Sequence, residues 1–193
     1  MGIEYELKYK ATPEALDRLE AAYPGKGQRL HMESTYFDTP DGALSARFWT
    51  LRRRMENEKS ICTFKFPVKG MGRGEFEVEC SSIEDAIPKL CKLSGMEELA
   101  LLTQAGLTQV CGARFTRLAI PVTSGKSILE LALDRGVLTG GGQEIPLFEV
   151  EAELKSGDPK DADLFGAWLQ MSFGLEPENR SKFRRALCLA KGE

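Results

Sequence analysis

Four stretches of this 193-residue chain carry charged side chains at every second position. Glu4, Glu6 and Lys8 stand near the start, and Arg52 with Arg54 comes next. Glu75, Glu77 and Glu79 follow, and Glu149, Glu151, Glu153 and Lys155 close the series. Side chains on a β-strand alternate faces with a period of two, so each set shares one face of its strand. The other faces are apolar: Ile3, Tyr5, Leu7 and Tyr9 in the first, Phe148, Val150, Ala152 and Leu154 in the last. Lys65, Glu130 and Asp134 fall in the same phase on strands of their own. Any one stretch is explained by an antiparallel strand with one wet face. Sorting of charge by sign, strand after strand, asks for more, because like charges side by side repel unless opposite charge sits among them. An inward face filled by a polyanion and its metal ions meets that demand. Carboxylates are hard oxygen ligands suited to Mg²⁺ or Mn²⁺. Arginine offers phosphate a planar fork, and lysine a compact point charge. Those types together support hydrolysis at phosphorus, with metal and Arg/Lys stabilising the transferring group.

The elements that must position these residues can be traced along the chain. Thr12 is placed to cap a helix with Pro13 at its first position, and Pro24-Gly25 ends it. Short strands are expected over Glu33 to Asp38, Phe48 to Met55, Ser60 to Pro67 and Glu75 to Cys80. Lys69 to Gly74 is glycine-rich, lacks the G-K-[ST] of a phosphate-cradling loop and is expected to be a flexible connection. A helix follows from Ser82 to Gly95, with Pro88 set to bend or shorten it, and a second short one from Glu97 to Ala105. Strand patterning resumes over Ala113 to Val122, Ser127 to Leu133 and Gly136 to Leu138, with Asp134-Arg135-Gly136 expected to form a tight turn or bulge. Ile145 to Lys155 is the longest expected strand. Helices starting at Asp158-Pro159 and at Asn179 or Ser181 complete the chain. About eight mostly antiparallel strands and four or five helices make an α+β fold.

Composition narrows the function classes. With 42% hydrophobic residues the chain is long enough for one domain with a sizeable core. No apolar run approaches membrane-spanning length, and no basic-then-apolar leader opens the chain, so a cytoplasmic protein is expected. Five scattered cysteines without a C-x-x-C pair fit reduced packing thiols and argue against structural zinc. One histidine, His31, leaves little room for a histidine-based triad, and a net charge of −3 speaks against general nucleic-acid or membrane-surface binding.

Glu4-Tyr5-Glu6-Leu7-Lys8 has the form of the E-x-E-x-K signature of the CYTH superfamily, the triphosphate tunnel metalloenzymes. The chain resembles that family further, in order, at Tyr36-Phe37-Asp38-Thr39-Pro40-Asp41, Leu51-Arg52-Arg53-Arg54, Thr63-Phe64-Lys65, Arg73-Gly74-Glu75-Phe76-Glu77 and Phe115-Thr116-Arg117. Ile128 to Gly136, Phe148 to Gly157 and Ser181-Lys182 continue it, and the segment from Ile128 to Gly157 looks most like bacterial inorganic triphosphatases. The resemblance implies a single domain over 1–193, an eight-stranded antiparallel β-barrel with helices packed outside, binding a small-molecule triphosphate with Mg²⁺ or Mn²⁺.

Carried over by position, the resemblance makes Glu4 and Glu6 metal ligands, helped by Glu149, Glu151 and Glu153. Lys8, Arg52, Arg54, Lys65, Arg117 and Lys182 bind phosphates, and Arg73, Glu75 and Glu77 line the tunnel between the two groups. Asp134 either reaches a metal or stabilises the turn it precedes. Tyr36 and Asp38 either line the tunnel or, for Asp38, serve the turn that follows. Arg53, Arg114, Arg184 and Arg185 are expected on a solvated surface. Lys8, Lys65, Arg52 and Arg54 are the candidate catalytic groups, and Lys8, Lys65 or a metal-bound hydroxide could serve as general base. Inorganic tripolyphosphate is the expected substrate. Adenylate cyclase activity, thiamine triphosphate hydrolysis and a non-catalytic polyphosphate or nucleotide module are the alternatives. Neither nucleic acid nor membrane is expected as a partner, and the oligomeric state stays open, a homodimer included.

Overall fold

The computed structural model describes residues 2–3, 5–68 and 73–193. Glu4 and residues 69–72 of the glycine-rich connection lie outside the described residues, so the expectations for them are not taken further. In chain order the elements are β1 (Gly2–Ile3), β2 (Glu6–Lys10), α1 (Pro13–Ala22), β3 (Gln28–Asp38), α2 (Ala43–Ala46) and β4 (Thr50–Glu56). Then come β5 (Lys59–Pro67), β6 (Arg73–Glu79), α3 (Ile83–Ser94), α4 (Glu97–Thr103), β7 (Thr108–Ser124) and β8 (Ser127–Gly140). β9 (Gln143–Ser156), α5 (Pro159–Phe173), β10 (Glu176–Pro177) and α6 (Lys182–Lys191) complete the fold.

One antiparallel sheet runs β1-β6-β5-β4-β3-β7-β8-β9-β2-β10. β1 and β2 are consecutive parts of one N-terminal run, yet β1 pairs with β6 (Ile3↔Gly74) and β2 with β9 (Lys8↔Glu151) at opposite flanks. The sheet therefore curls until both flanks meet the same stretch of chain. No single continuous ladder seals it, and the result is a tunnel-like barrel of eight principal strands, β10 being a two-residue addition.

Two hydrophobic clusters cover the outside. On the β2 and β7–β9 side, Tyr9, Leu118, Ile120, Leu131, Leu133 and Val150 pack under Leu16 and Leu19 of α1 and Phe165 and Leu169 of α5. Gly166 makes that contact possible, since a Cβ there would lie 2.3 Å from the Tyr9 hydroxyl and 2.5 Å from Leu7 Cδ1. On the β4–β6 side, Leu51, Cys62, Phe64 and Phe66 pack under Ile83, Ile87 and Leu90 of α3 and Leu99 of α4. The apolar alternation of the strands meets the helical stripes of those helices, and three of them begin at a side-chain cap: Thr12, Ser82 and Asp158 accept backbone N–H bonds at α1, α3 and α5. Pro88 lies within α3 without shortening it. Cys62, Cys80 and Cys111 are buried packing residues, and burial pushes the Cys62 thiol up to about 11 and the Cys111 thiol to about 12.

Two features depart from the sequence expectation. Asp134-Arg135-Gly136 is no turn: β8 runs straight through it, with Arg117↔Asp134 and Phe115↔Gly136 paired across to β7. Gly136 is there for proximity, because a Cβ would fall 2.1 Å from the Arg114 carbonyl oxygen and 2.5 Å from Phe115 Cα. The hairpin comes later, at Gly141-Gly142, both with positive φ. The second departure is α6. The other long helices lie outside as expected, whereas α6 packs Phe183, Ala186 and Leu187 on Met32, Tyr36, Phe115 and Leu147. Met32, Tyr36 and Phe115 lie on the face that lines the interior cavity, so α6 stands on the tunnel side of the sheet.

Candidate functional site

Inside the barrel lies a cavity of about 900 Å³. Among its described lining residues ten cations outnumber seven carboxylates, which places the in-phase charges of the strands inward. Glu6, Lys8, Arg52, Arg54, Lys65, Arg73, Glu75, Glu77, Arg117, Glu151, Glu153 and Lys182 all line it. Glu79, in phase with Glu75 and Glu77, is exposed and stays outside that lining.

The strand register sorts these residues into two walls. On β4–β6, neighbouring positions pair Thr50 with Lys65 and Arg52 with Thr63, then Lys65 with Glu75 and Thr63 with Glu77. Arg52 Nη2 donates to the Thr63 hydroxyl at 3.2 Å, and that hydroxyl donates to Glu77 at 2.8 Å. The direct ion pairs are long: Arg52 to Glu77 at 3.5 Å and to Glu75 at 3.8 Å, Arg54 to Glu77 at 3.7 Å. Lys65 reaches Glu75 at 3.2 Å and Arg54 reaches Glu56 at 3.2 Å. Arg52 and Arg54 also carry a buried Nε–H with no partner among the described residues. Burial first, and then the charge of Arg52, hold Arg54 below its ordinary pKa. For Glu77 burial pulls upward, but Arg54, the Thr63 hydroxyl and Arg52 outweigh it and hold the carboxyl low.

On β7–β9 the charges are packed tight. Arg117 donates through Nε and Nη2 to both oxygens of Asp134, each at 2.8 Å, and also pairs with Glu151. Lys182, delivered by the first turn of α6, donates to Glu151 at 2.6 Å, lies 2.9 Å from Asp134 and bonds Glu149. The α6 turn is set by Ser181, whose hydroxyl accepts the Arg184 N–H at 3.1 Å. Arg185 closes on Glu149. Asp134 and Glu149 are fully buried. Burial and the neighbouring Glu151 push Glu149 up to about 7 against the pull of Lys182. Burial acts upward on Glu151 too, yet Lys182 and Arg117 hold it well below the usual carboxylate range. The Lys182 ammonium and Arg117 guanidinium also stand 5.3 and 5.8 Å from the Phe115 ring, within cation–π range. Between the walls, Lys8 pairs with Glu6 at 3.3 Å.

The sorting of charge by sign along single strands does not carry over to the walls. Both walls mix signs: Glu75 and Glu77 are answered by Arg52, Arg54 and Lys65, and Asp134, Glu149 and Glu151 by Arg117, Lys182 and Arg185. Asp134 belongs to the buried acid group and stabilises no turn. Asp38 instead serves its loop, accepting from the backbone N–H groups of Thr39, Leu44 and Ser45. Arg185 was expected on the surface but is bound to Glu149; three positions after Lys182, it shares a helix face with that residue. Arg184 is exposed yet lines the cavity mouth with Arg180. Arg114 is exposed and pairs with Glu144, and Arg53 donates to the Ser81 carbonyl. Lys155 and Glu130, in phase but not assigned a role from sequence, also line the cavity.

Asp134, Glu149 and Glu151 offer carboxylate oxygens that all lie within 4.8 Å of one another. Hard oxygen donors at that spacing fit Mg²⁺ or Mn²⁺ in kind and number. Glu6 and Glu153 add further carboxylates to the cavity wall. The trio already holds Lys182, so a divalent cation would compete with that ammonium for the same oxygens.

The sequence model of the CYTH domain matches residues 2–187 of the chain. The chain is 30% identical over 166 residues to an inorganic triphosphatase of Haemophilus influenzae (strain ATCC 51907 / DSM 11121 / KW20 / Rd), covering 84% of this chain and 47% of that protein. It thus spans about half the length of that relative. Among solved structures, a Bacillus halodurans protein proposed to be an adenylate cyclase matches with a TM-score of 0.67 at 18% identity, over 95% of this chain and 96% of that one. A Hippeastrum protein, first proposed as an adenylyl cyclase and described as having a dominant triphosphatase activity, matches with a TM-score of 0.67 at 20% identity, over 98% of this chain and 96% of that one. At those identities the likeness is one of fold.

Proposed function

The chain belongs to the CYTH domain family, and from that premise we propose that it hydrolyses a linear triphosphate, inorganic tripolyphosphate above all, within the cavity of its barrel. The observation that carries the reading is the pair Arg52 and Arg54. Their guanidiniums stand together on a cavity wall, each with a buried Nε–H lacking a partner among the described residues, and their ion pairs with Glu75 and Glu77 are long, at 3.5 to 3.8 Å. Buried polar groups are normally satisfied. Two adjacent cations with spare donors are best satisfied by a polyanion, whose oxygens accept from planar guanidinium forks. The activity of the Haemophilus influenzae relative and the triphosphatase activity described for the Hippeastrum protein point the same way.

In this reading Arg52, Arg54 and Lys65 grip the phosphate chain from the β4–β6 wall, Lys8 and Arg117 meet it from the other side, and Lys182 contacts it from α6. Holding the chain from several sides fixes the scissile bond against a water and supplies positive charge where oxygens gain it. Glu75 and Glu77 orient Lys65 and Arg52 through the pairs described above, and Arg73 lines the same wall. Mg²⁺ or Mn²⁺, when bound, would supply Lewis-acid stabilisation of the phosphoryl oxygens. Glu6, Asp134, Glu149, Glu151 and Glu153 are the described carboxylates that would hold it. Lys8 and Lys65, ion-paired with Glu6 and Glu75, meet the phosphates through their ammonium groups, and either would take a proton from the attacking water at Nζ only as the neutral amine.

The test is a product assay on tripolyphosphate, ATP and thiamine triphosphate, each with Mg²⁺ and with Mn²⁺. Orthophosphate release from tripolyphosphate is expected, and its loss in Arg52→Ala. Cyclic AMP with pyrophosphate from ATP, and no orthophosphate from tripolyphosphate, would replace this reading with a cyclase.

A further inference from the structure

Three cations serve the buried carboxylates of the β7–β9 wall, and they are not equally fixed. Arg117 spans a rung between β7 and β8, its fork holding both oxygens of Asp134 at 2.8 Å. Arg185 is bound to Glu149 and stands outside the described lining of the cavity. Lys182 differs from both. It is the first residue of α6, its side chain is 10% exposed, and it lines the cavity with Glu151. Its ammonium meets all three carboxylates, at 2.6 Å from Glu151, 2.9 Å from Asp134 and bonded to Glu149. Asp134 and Glu149 are fully buried and stand outside the described lining, so the cavity reaches them past Lys182 and Arg117.

Chemistry separates the ammonium from the guanidiniums as well. Lysine carries a compact charge with rotatable donors on a flexible stem, whereas an arginine fork is planar and fixed by bidentate pairing. The backbone under Lys182 is anchored independently of its ammonium. Ser181 caps the helix by accepting the Arg184 N–H, and Phe183 and Leu187 are buried against the sheet. The Nζ can therefore turn while α6 stays seated. On its cavity side it stands 5.3 Å from the ring of Phe115, another lining residue.

An ammonium and a divalent cation seek the same oxygens, and the trio cannot serve both at contact distance. A doubly charged ion in place of Lys182 adds positive charge to a balanced wall. It also turns the ammonium into a cavity whose described cations already outnumber the carboxylates. Both changes are unfavourable until an anion enters. A phosphate chain gives the ammonium new acceptors for those it left.

We propose that Lys182 is an exchangeable cation: it neutralises the buried carboxylates until a divalent metal takes their oxygens, and its ammonium then passes to the phosphate chain. Metal and triphosphate thereby raise each other's affinity, a coupling that is reciprocal by thermodynamic necessity. The inference rests on the reading of the cavity as a triphosphate site and adds a link between its two ligands.

Calorimetric titration of wild type and Lys182→Met, with Mn²⁺ alone and with tripolyphosphate in chelator, tests this. The two ligands should respond with opposite sign. Mn²⁺ should bind Lys182→Met about tenfold more tightly than wild type, because its competitor is gone, a factor usual for coupled sites. Tripolyphosphate should bind the variant about tenfold more weakly, the order that one hydrogen bond to a charged group supplies. Unchanged or weaker Mn²⁺ binding would overturn the proposal, and so would unchanged tripolyphosphate binding. A lysine with a purely structural role would weaken both ligands together. If Lys182→Met does not fold, wild type alone decides, by a short pulse of acetylation followed by peptide mass spectrometry. Lys182 should be protected in chelator, about fivefold or more reactive in saturating Mn²⁺, and protected again when tripolyphosphate joins the metal. Equal labelling in chelator and in Mn²⁺ would overturn the exchange. Wild type that binds tripolyphosphate neither with metal nor without it would overturn the triphosphate reading, and this inference with it.

Discussion

Lys182 lies 2.6 Å from Glu151 and 2.9 Å from Asp134, whereas across the cavity Arg52 comes no closer than 3.5 Å to Glu77 and 3.8 Å to Glu75. The two walls are built from the same residue types and differ in balance and burial. On β7–β9 and α6, three carboxylates (Asp134, Glu149, Glu151) meet three cations (Arg117, Lys182, Arg185) with almost no solvent. On β4–β6, Arg52, Arg54, Lys65 and Arg73 outnumber Glu56, Glu75 and Glu77, and the pairs are half-open. A balanced buried network holds structure, since removing one partner strands charge in low dielectric. An unbalanced, loosely paired wall keeps charge available for something that arrives. Charge on the first wall is already committed to the fold, so a phosphate or metal must compete for it, whereas charge on the second is held loosely.

The sharpest way to break that division is Lys182→Met. It leaves three buried carboxylates facing two arginines. A loss of about 3–5 kcal/mol of stability is expected, read by urea denaturation. A near-neutral variant would mean that the buried network is not structural. Arg52→Ala is the converse. It brings the β4–β6 wall closer to charge balance, while Glu77 keeps Arg54 at 3.7 Å and the Thr63 hydroxyl at 2.8 Å. Stability should change by about 1 kcal/mol or less, while kcat/KM for tripolyphosphate falls by roughly 10²–10³. A variant that unfolds instead would erase the distinction between the walls.

A smaller effect sharpens the contrast through pH. Burial raises Glu149 from the usual carboxylate range to about 7, so folding favours its protonated form. Its contribution to stability is full below the unfolded pKa and is lost as pH climbs from there through about 7. Glu151 is depressed, so its contribution is present above the ordinary range and lost in acid. Denaturation between pH 5 and 7.5 should show stability declining in wild type and a flatter profile in Glu149→Gln. Matching slopes would remove Glu149 as the source. No such slope is expected from the β4–β6 wall, where Glu77 is held low.

Much of this division was latent in the spacing of residues, and part was not. Period-two placement of Arg52, Arg54, Glu149 and Glu151 fixes the face they share, because strand geometry leaves a side chain two directions only. Which carboxylate meets which cation depends on register between strands far apart in sequence. Arg117 finds Asp134 only because β7 and β8 align at that rung. The D-R-G triplet imitates a turn by composition, and nothing local announces that Gly136 answers to the backbone of Arg114 and Phe115. Arg185 is hidden for a similar reason: the azimuth of α6 is set by Phe183 and Leu187 packing onto the sheet.

The smallest expected effect supplies the scale for the others. Arg114 and Glu144 form an ion pair on the outside of the barrel, with side chains 58% and 51% exposed. By distance alone this pair is as close as those inside, so a count of ion pairs would rank it with Lys182 and Glu149. Water decides otherwise. Exposed charges are already solvated, and ordering two long side chains offsets most of what their attraction contributes. Glu144→Ala should therefore cost less than about 1 kcal/mol, with the difference shrinking further in high salt, where screening shortens to about 3 Å at 1 M. The loss in Lys182→Met should persist in the same salt, because ions from solvent do not enter a buried network. Denaturation of both variants at low and high salt compares them directly. Equal salt sensitivity would place the β7–β9 network in contact with solvent and leave the two walls differing in charge balance alone.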